Sequence, residues 1–160
     1  MKTAEVAGTF DPITKGHEYV INKSLESFDK IIVVVADNVE KTPLFSSEMR
    51  REFIQRIYKD NDRVEVFIHH GLMMDFLKEK GITHYIRGIR NGTDLSYEKK
   101  MLDFNKSIYP ELSTVFIYSP ESVSKINSTA VRTATDYSKL GDAVSDKILK
   151  DVVKGLAEKK

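Results

Sequence analysis

Cysteine is absent from all 160 residues. That removes a disulfide framework, a thiol nucleophile and every zinc site built on thiolates. An excess of charge of one sign is missing too: 25 Lys and Arg stand against 24 Asp and Glu, a formal charge of +1. A basic face for a nucleic-acid duplex or an anionic membrane is therefore not expected, and positive character has to be local. No window approaches the roughly eighteen apolar residues of a membrane-spanning helix, and MKTAEVAGTF has no signal-peptide core. Repeats and low-complexity tracts are lacking. What remains is a soluble, cytoplasmic chain forming one domain over 1–160, long enough for a full core and without a composition break.

What is present is an alternation. Short β-branched runs alternate with segments of helical period, the pattern of consecutive βαβ units and hence of a parallel sheet. Strands are expected at 3–7, 30–37, 63–69, 84–87 and 114–119. KIIVVVAD at 30–37 is apolar on both faces and is expected at the centre of the sheet. Helices are expected after residue 17, after the Ser46–Ser47 cap, near 73–80 and over about 93–107. A helical C-terminal segment is expected from about 128, in two pieces: Ser128 to about Tyr137, and Val144 to about Ala157. The fold class is thus a doubly wound, Rossmann-like α/β domain with five parallel strands, whose ligands belong at the carboxyl ends of the strands.

The unusual residues collect at those ends. AGTFDPITKGH (7–17) follows the first strand, Lys41 the second, Arg87 and Arg90 the fourth, and Ser128 and Thr129 the fifth. Hydroxyls, lysine, arginine and histidine suit phosphate, and helix N-termini at Gly16–His17 and Asn127–Ser128 would add N–H donors. Each has a plainer reading: Gly8 and Gly16 as turn residues, Arg87 and Arg90 as surface partners of Asp94 or Glu98, INSTAVR (126–132) as a helix cap. His69 and His70 are adjacent in a strand and face opposite ways, so a metal site is not expected there. Met73 and Met74 read as core or pocket filling.

TKGH (14–17) resembles the T/HxGH signature of the nucleotidyltransferase superfamily, and INSTAVR resembles its second motif. KTPLF (41–45), GLMMDF (71–76) and RGIRNGTDLSYE (87–98) are similar to one branch, the bacterial phosphopantetheine adenylyltransferases. Two positions depart: Ala7 stands where that family usually has proline, and Asn127 where the second motif usually has serine. The resemblance implies transfer of the adenylyl group of ATP to 4′-phosphopantetheine, with magnesium, giving dephospho-coenzyme A and pyrophosphate. It implies a catalytic set of Thr9, His17, Lys41 and Arg90. ATP would meet Thr9, Phe10, His17, Gly88, Ile89, Arg90, Glu98, Val123, Ser124, Lys125, Ile126, Asn127, Ser128 and Thr129. The second substrate would meet Thr9, Lys41, Leu72, Met73, Arg87 and Asn105. It also implies a homohexamer and makes coenzyme A a candidate feedback ligand. Two readings compete: a sibling transferase joining another phosphate to another nucleotide, and a non-catalytic nucleotide-binding module on the same fold.

Overall fold

The computed structural model describes residues 1–37 and 42–159. Five strands form one sheet: β1 (Thr3–Gly8), β2 (Lys30–Asp37), β3 (Val64–His70), β4 (His84–Ile89) and β5 (Ser113–Tyr118). Every pairing is parallel and the order is β3-β2-β1-β4-β5. The chain builds outward from β1 through β2 to β3, then returns to lay β4 against the other side of β1. The strand order therefore reverses between β1 and β4, and the crevice at their carboxyl ends is where such sheets bind ligands.

Period two along β2 explains the layering. Ile31, Val33 and Val35 join a large core with α1 (Lys15–Ser24), α2 (Ser47–Ile57) and the C-terminal helix, while Ile32 and Val34 join a smaller one. That smaller core packs under α3 (Met73–Lys80) and the end of α4 (Gly92–Ile108), through Met74, Leu77 and Ile108. With both faces covered by helices, near-continuous apolar strands are required.

Two expectations are corrected. The central strand is β1, not β2. Burial on both faces requires only a neighbour on each side and helices above and below, which β2 has between β1 and β3. The C-terminal segment is also more broken than its periodicity suggests. A four-residue turn, α5 (Glu121–Ser124), precedes α6 (Ser128–Arg132); a 3₁₀ segment spans Tyr137–Asp142 and α7 runs Leu149–Glu158. Asp136 caps the 3₁₀ segment by accepting from the Ser138 N–H at 3.0 Å. At its end the carbonyls of Gly141 and Ala143 accept from Lys15 Nζ and Lys15 N–H, both at 2.7 Å. Docking onto the start of α1 overrides the helical period there.

Candidate active site

The β1–α1 loop carries the first chemistry. Thr14 caps α1, and its backbone N–H donates to Nδ1 of His17 at 2.9 Å, with Thr14 Oγ1 3.1 Å from the same nitrogen. Because an amide N–H can only donate, Nδ1 is the acceptor and the ring proton sits on Nε2. Burial pushes the imidazole pKa down to about 4, so the ring is neutral at physiological pH. Phe10 lies edge-on to it, centroid to centroid 4.9 Å, and holds a left-handed backbone at φ 51°. Such a conformation in a bulky residue costs about 1–3 kcal/mol and persists only where its surroundings fix it. Here Phe10 is 2% exposed and Asp11–Pro12, a cis peptide, follows.

Two cavities meet at this pair. One, of about 350 Å³, lies in the switch-point crevice and is lined by Gly8, Gly16, Gly88, Arg90, Ser124 and Asn127. The other, of about 370 Å³, is lined by Thr9, Asp11, Thr42, Pro43, Ser128, Thr129 and Arg132. Phe10 and His17 line both. Absent side chains shape the first: a Cβ on Gly16 would stand 2.5 Å from the Ile126 carbonyl oxygen, and one on Gly88 would stand 2.9 Å from Val20 Cγ2. The start of α1 is thereby pressed onto the segment that precedes α6.

The two motifs are also tied directly. Ser128 Oγ donates to the Pro12 carbonyl at 2.8 Å, and Arg132 donates to the Asp11 carbonyl at 2.8 Å and to Thr129 Oγ1 at 3.2 Å. Asn127 caps α6, its side-chain oxygen accepting from the Ala130 N–H at 2.8 Å. The departure from serine therefore preserves the cap.

Of the residues singled out in the sequence, the first cavity gathers Phe10, His17, Arg87, Gly88, Arg90, Val123, Ser124, Ile126 and Asn127. The second gathers Thr9, Ser128 and Thr129. Ile89, Glu98 and Lys125 line neither; Lys125 pairs with Glu121 at 3.7 Å on the surface. Both ion pairs of the plainer reading form: Arg87 grips Glu98 at 2.8 and 3.1 Å, and Arg90 holds Asp94 at 3.0 Å. Leu72, Met73 and Asn105 stand outside both cavities, Met73 against the smaller core. Leu72 is exposed, Met73 half-buried and Asn105 buried. Lys41 lies outside the described residues.

Two residues under the site escape a sequence reading. Asp11 is 3% exposed and accepts from the Leu44 and Phe45 N–H groups at 2.8 and 2.9 Å. Arg50 is 1% exposed, within the body of the protein. Its signal was its register: it sits on the same stripe of α2 as Phe53, Ile54 and Ile57, where a surface arginine does not belong.

Known proteins are similar to this chain along most of its length. The cytidylyltransferase-like family model matches residues 6–134. A phosphopantetheine adenylyltransferase of Thermotoga neapolitana is 40% identical over 152 residues, 95% of this chain and 92% of that protein. One of Clostridium botulinum is 40% identical over 161 residues, covering 100% of this chain and 98% of that protein. The chain belongs to the phosphopantetheine adenylyltransferase family. Among solved structures, a nicotinic acid mononucleotide adenylyltransferase of Plasmodium falciparum complexed with NaAD superposes with a TM-score of 0.68, covering 96% of each chain. At 18% identity that likeness speaks for the α/β fold and not for the ligand. Family membership runs through the T/HxGH loop, the second motif and the segments between them, all of which the matched span contains.

Proposed function

We propose that the protein transfers the adenylyl group of ATP to 4′-phosphopantetheine, giving dephospho-coenzyme A and pyrophosphate. The observation that carries this reading is the pair of cavities meeting at His17, in a chain about 40% identical along its length to proteins named for that reaction. The adenylate part of ATP occupies the switch-point cavity, and the acceptor phosphate enters through the second, beside Thr9.

A phosphate oxygen of the acceptor attacks the α-phosphorus; the new P–O bond forms as the bond to the bridging oxygen breaks and pyrophosphate leaves. The nucleophile carries no proton to remove, so no general base is required, and alignment plus charge stabilisation suffice. Neutral His17 donates from Nε2 to an α-phosphate oxygen as charge gathers there. Arg90, Ser128 and Thr129 hold the leaving phosphates, and Lys41 with Thr9 the attacking one. Arg90 is oriented by Asp94, and Ser128 by its donation to the Pro12 carbonyl.

Magnesium fits as a companion of the triphosphate. The Asp11 carboxylate accepts two backbone N–H groups, and no three His, Cys, Asp or Glu side chains among the described residues cluster as a metal cage. The ion would be held by phosphate oxygens and water. When bound it supplies charge neutralisation to the departing pyrophosphate.

The cytoplasm as compartment, coenzyme A as a competing ligand and a homohexamer rest on the family resemblance. For the assembly there is added support in an exposed stripe on α4, where Tyr97, Met101 and Phe104 are 61, 38 and 50% exposed. Sedimentation as a hexamer of 18.3 kDa chains would carry that reading, and a monomer would remove it.

The test of function is pyrophosphate release from ATP and magnesium with 4′-phosphopantetheine, beside nicotinamide mononucleotide, glycerol 3-phosphate with CTP, and no acceptor. Release with phosphopantetheine alone is expected. Release with another acceptor overturns the substrate, and silence in the presence of bound ATP supports a non-catalytic module. The nucleotide cavity has its own check. Gly16→Ala forces a methyl group against the Ile126 carbonyl, a contact of 2.5 Å that backbone must relieve. Overpacking of this kind costs about 1–3 kcal/mol, so KM for ATP should rise about tenfold or more while KM for the acceptor holds. Unchanged ATP kinetics would show that the 123–127 segment does not touch the nucleotide.

A further inference from the structure

We infer that Arg50 is a positioning residue for the acceptor phosphate, acting through the Thr9 and Phe45 carbonyls that its guanidinium holds together beneath the second cavity. The inference rests on the reading of that cavity given above. Arg50 reaches three separate stretches of backbone from inside the protein. Nε donates to the Phe45 carbonyl at 3.0 Å, Nη1 to the Thr9 carbonyl at 2.9 Å and to the Ala36 carbonyl at 3.4 Å, and Nη2 to Asp37 Oδ1 at 3.3 Å. One side chain thus fixes the β1–α1 loop, the end of β2 and the β2–α2 loop relative to one another.

Both loops present residues to the second cavity: Thr9 from one, Thr42 and Pro43 from the other. The Phe45 backbone is pinned on both sides of its Cα, its N–H by Asp11 at 2.9 Å and its carbonyl by Arg50. Displacing Arg50 frees the carbonyl side of that clamp and the Thr9 carbonyl together. Thr9 itself is exposed to the cavity, so its hydroxyl moves with its backbone.

Three of the four partners are carbonyls, and the single carboxylate, Asp37, is shared with His70 Nδ1 at 3.1 Å. The guanidinium itself lines neither cavity, so it acts on the phosphate through the loop backbone that it holds. Folding alone would be served as well by an apolar side chain on this stripe of α2, because a buried charge has to be stripped of its hydration. A lysine would keep the charge but offers a single point of donation and cannot span carbonyls on three segments.

The test is Arg50→Lys in steady-state kinetics, each substrate varied with the other saturating, beside wild type. Misplacing a binding group by about 1 Å can cost about 100-fold. KM for 4′-phosphopantetheine should accordingly rise between ten- and a hundredfold, with KM for ATP changed less than threefold. A role confined to folding would lower the melting temperature and the active fraction and leave the acceptor KM where it was; that outcome overturns the inference. If Arg50→Lys does not fold by circular dichroism, Asp11→Asn loosens the same Phe45 backbone from its N–H side and must show the same selective rise; its absence also overturns the inference. Calorimetric binding of inorganic phosphate, with the first cavity filled by a non-hydrolysable ATP analogue, separates this inference from the function. Should wild type ignore phosphopantetheine yet bind phosphate at least tenfold more tightly than Arg50→Lys, the proposed substrate falls and the role of Arg50 stands. Equal phosphate binding by both overturns it.

Discussion

Replacing His17 with alanine is expected to lower kcat by about 10²–10³, the usual effect of removing one preorganised donor to a transition-state oxygen. KM for both substrates should change little, since the donor acts where charge develops and not in the ground state. The ring's hydrogen bonds specify how it acts. Thr14 N–H fills Nδ1, so the only proton is on Nε2 of a ring that lines both cavities. With its pKa pushed down to about 4 by burial, His17 is a neutral donor throughout the working range. His17 should therefore add no titration of its own near pH 6.5, where an ordinary histidine would change charge, to that of the acceptor phosphate, whose second pKa is about 6. Stability carries the same signature on the acid side. The unfolded ring takes up a proton below about 6.5 while the folded one resists until about 4, so the contribution of neutral His17 is lost as pH falls through that window. Alanine also orphans the Thr14 N–H, which costs stability, so the kinetics must be compared well below both melting transitions. A variant with normal kcat and a large KM would reassign His17 to substrate binding, and a wild-type titration near pH 6.5 that disappears in His17→Ala would contradict the neutral donor.

The sequence made the sheet and its active edge legible for a simple reason. Alternation of strand and helix dictates a parallel sheet, and a parallel sheet puts every post-strand loop of the same sense at one edge. His17, Gly88, Arg90, Asn127, Ser128 and Thr129 could be placed together from their loops alone, and the structure sets them around two adjoining cavities. Strand order was less legible, because the apolar run of β2 reports burial and not position; β1, which carries a glutamate, is the central strand. Side-chain pairing was ambiguous for the same kind of reason. Arg87 and Arg90 suit phosphate and carboxylate equally, and Glu98 and Asp94 are the partners that they have in the fold. The clamp of Asp11 and Arg50 joins residues 34 and 41 positions apart in the chain, which no local pattern encodes.

Glu5→Leu is expected to stabilise the protein, and by more at pH 8 than at pH 5. Glu5 lies in the middle of the central strand with no exposed surface, between Ala4 and Val6, which face the large core. Its own side chain points the other way, on a strand position paired with Tyr85 and Ile32 of the smaller core. Neither carboxyl oxygen has a hydrogen-bond partner among the described residues. Desolvation pushes its pKa from 4.5 up to about 8, so the folded protein keeps the group protonated at neutral pH while the unfolded chain ionises it. Folding must then take up a proton, and stability declines as pH rises from about 4.5 to about 8. At pH 7 the interval above the unfolded value corresponds to about 3 kcal/mol, each pH unit being about 1.4 kcal/mol. Leucine has similar volume, loses no hydrogen bond and removes this linkage. The melting temperature should rise by about 6–12 °C at pH 7, about 2–4 °C per kcal/mol in a chain of this size. Because Glu5 lines neither cavity, kcat should stay within about twofold of wild type, tested by the same pyrophosphate assay. The deciding feature is the shape of the difference: stability curves of the two proteins should converge toward pH 5 and separate toward pH 8. A gain independent of pH would mean that the carboxyl is as easily ionised folded as unfolded, and a loss would mean that it has a partner which the leucine takes away.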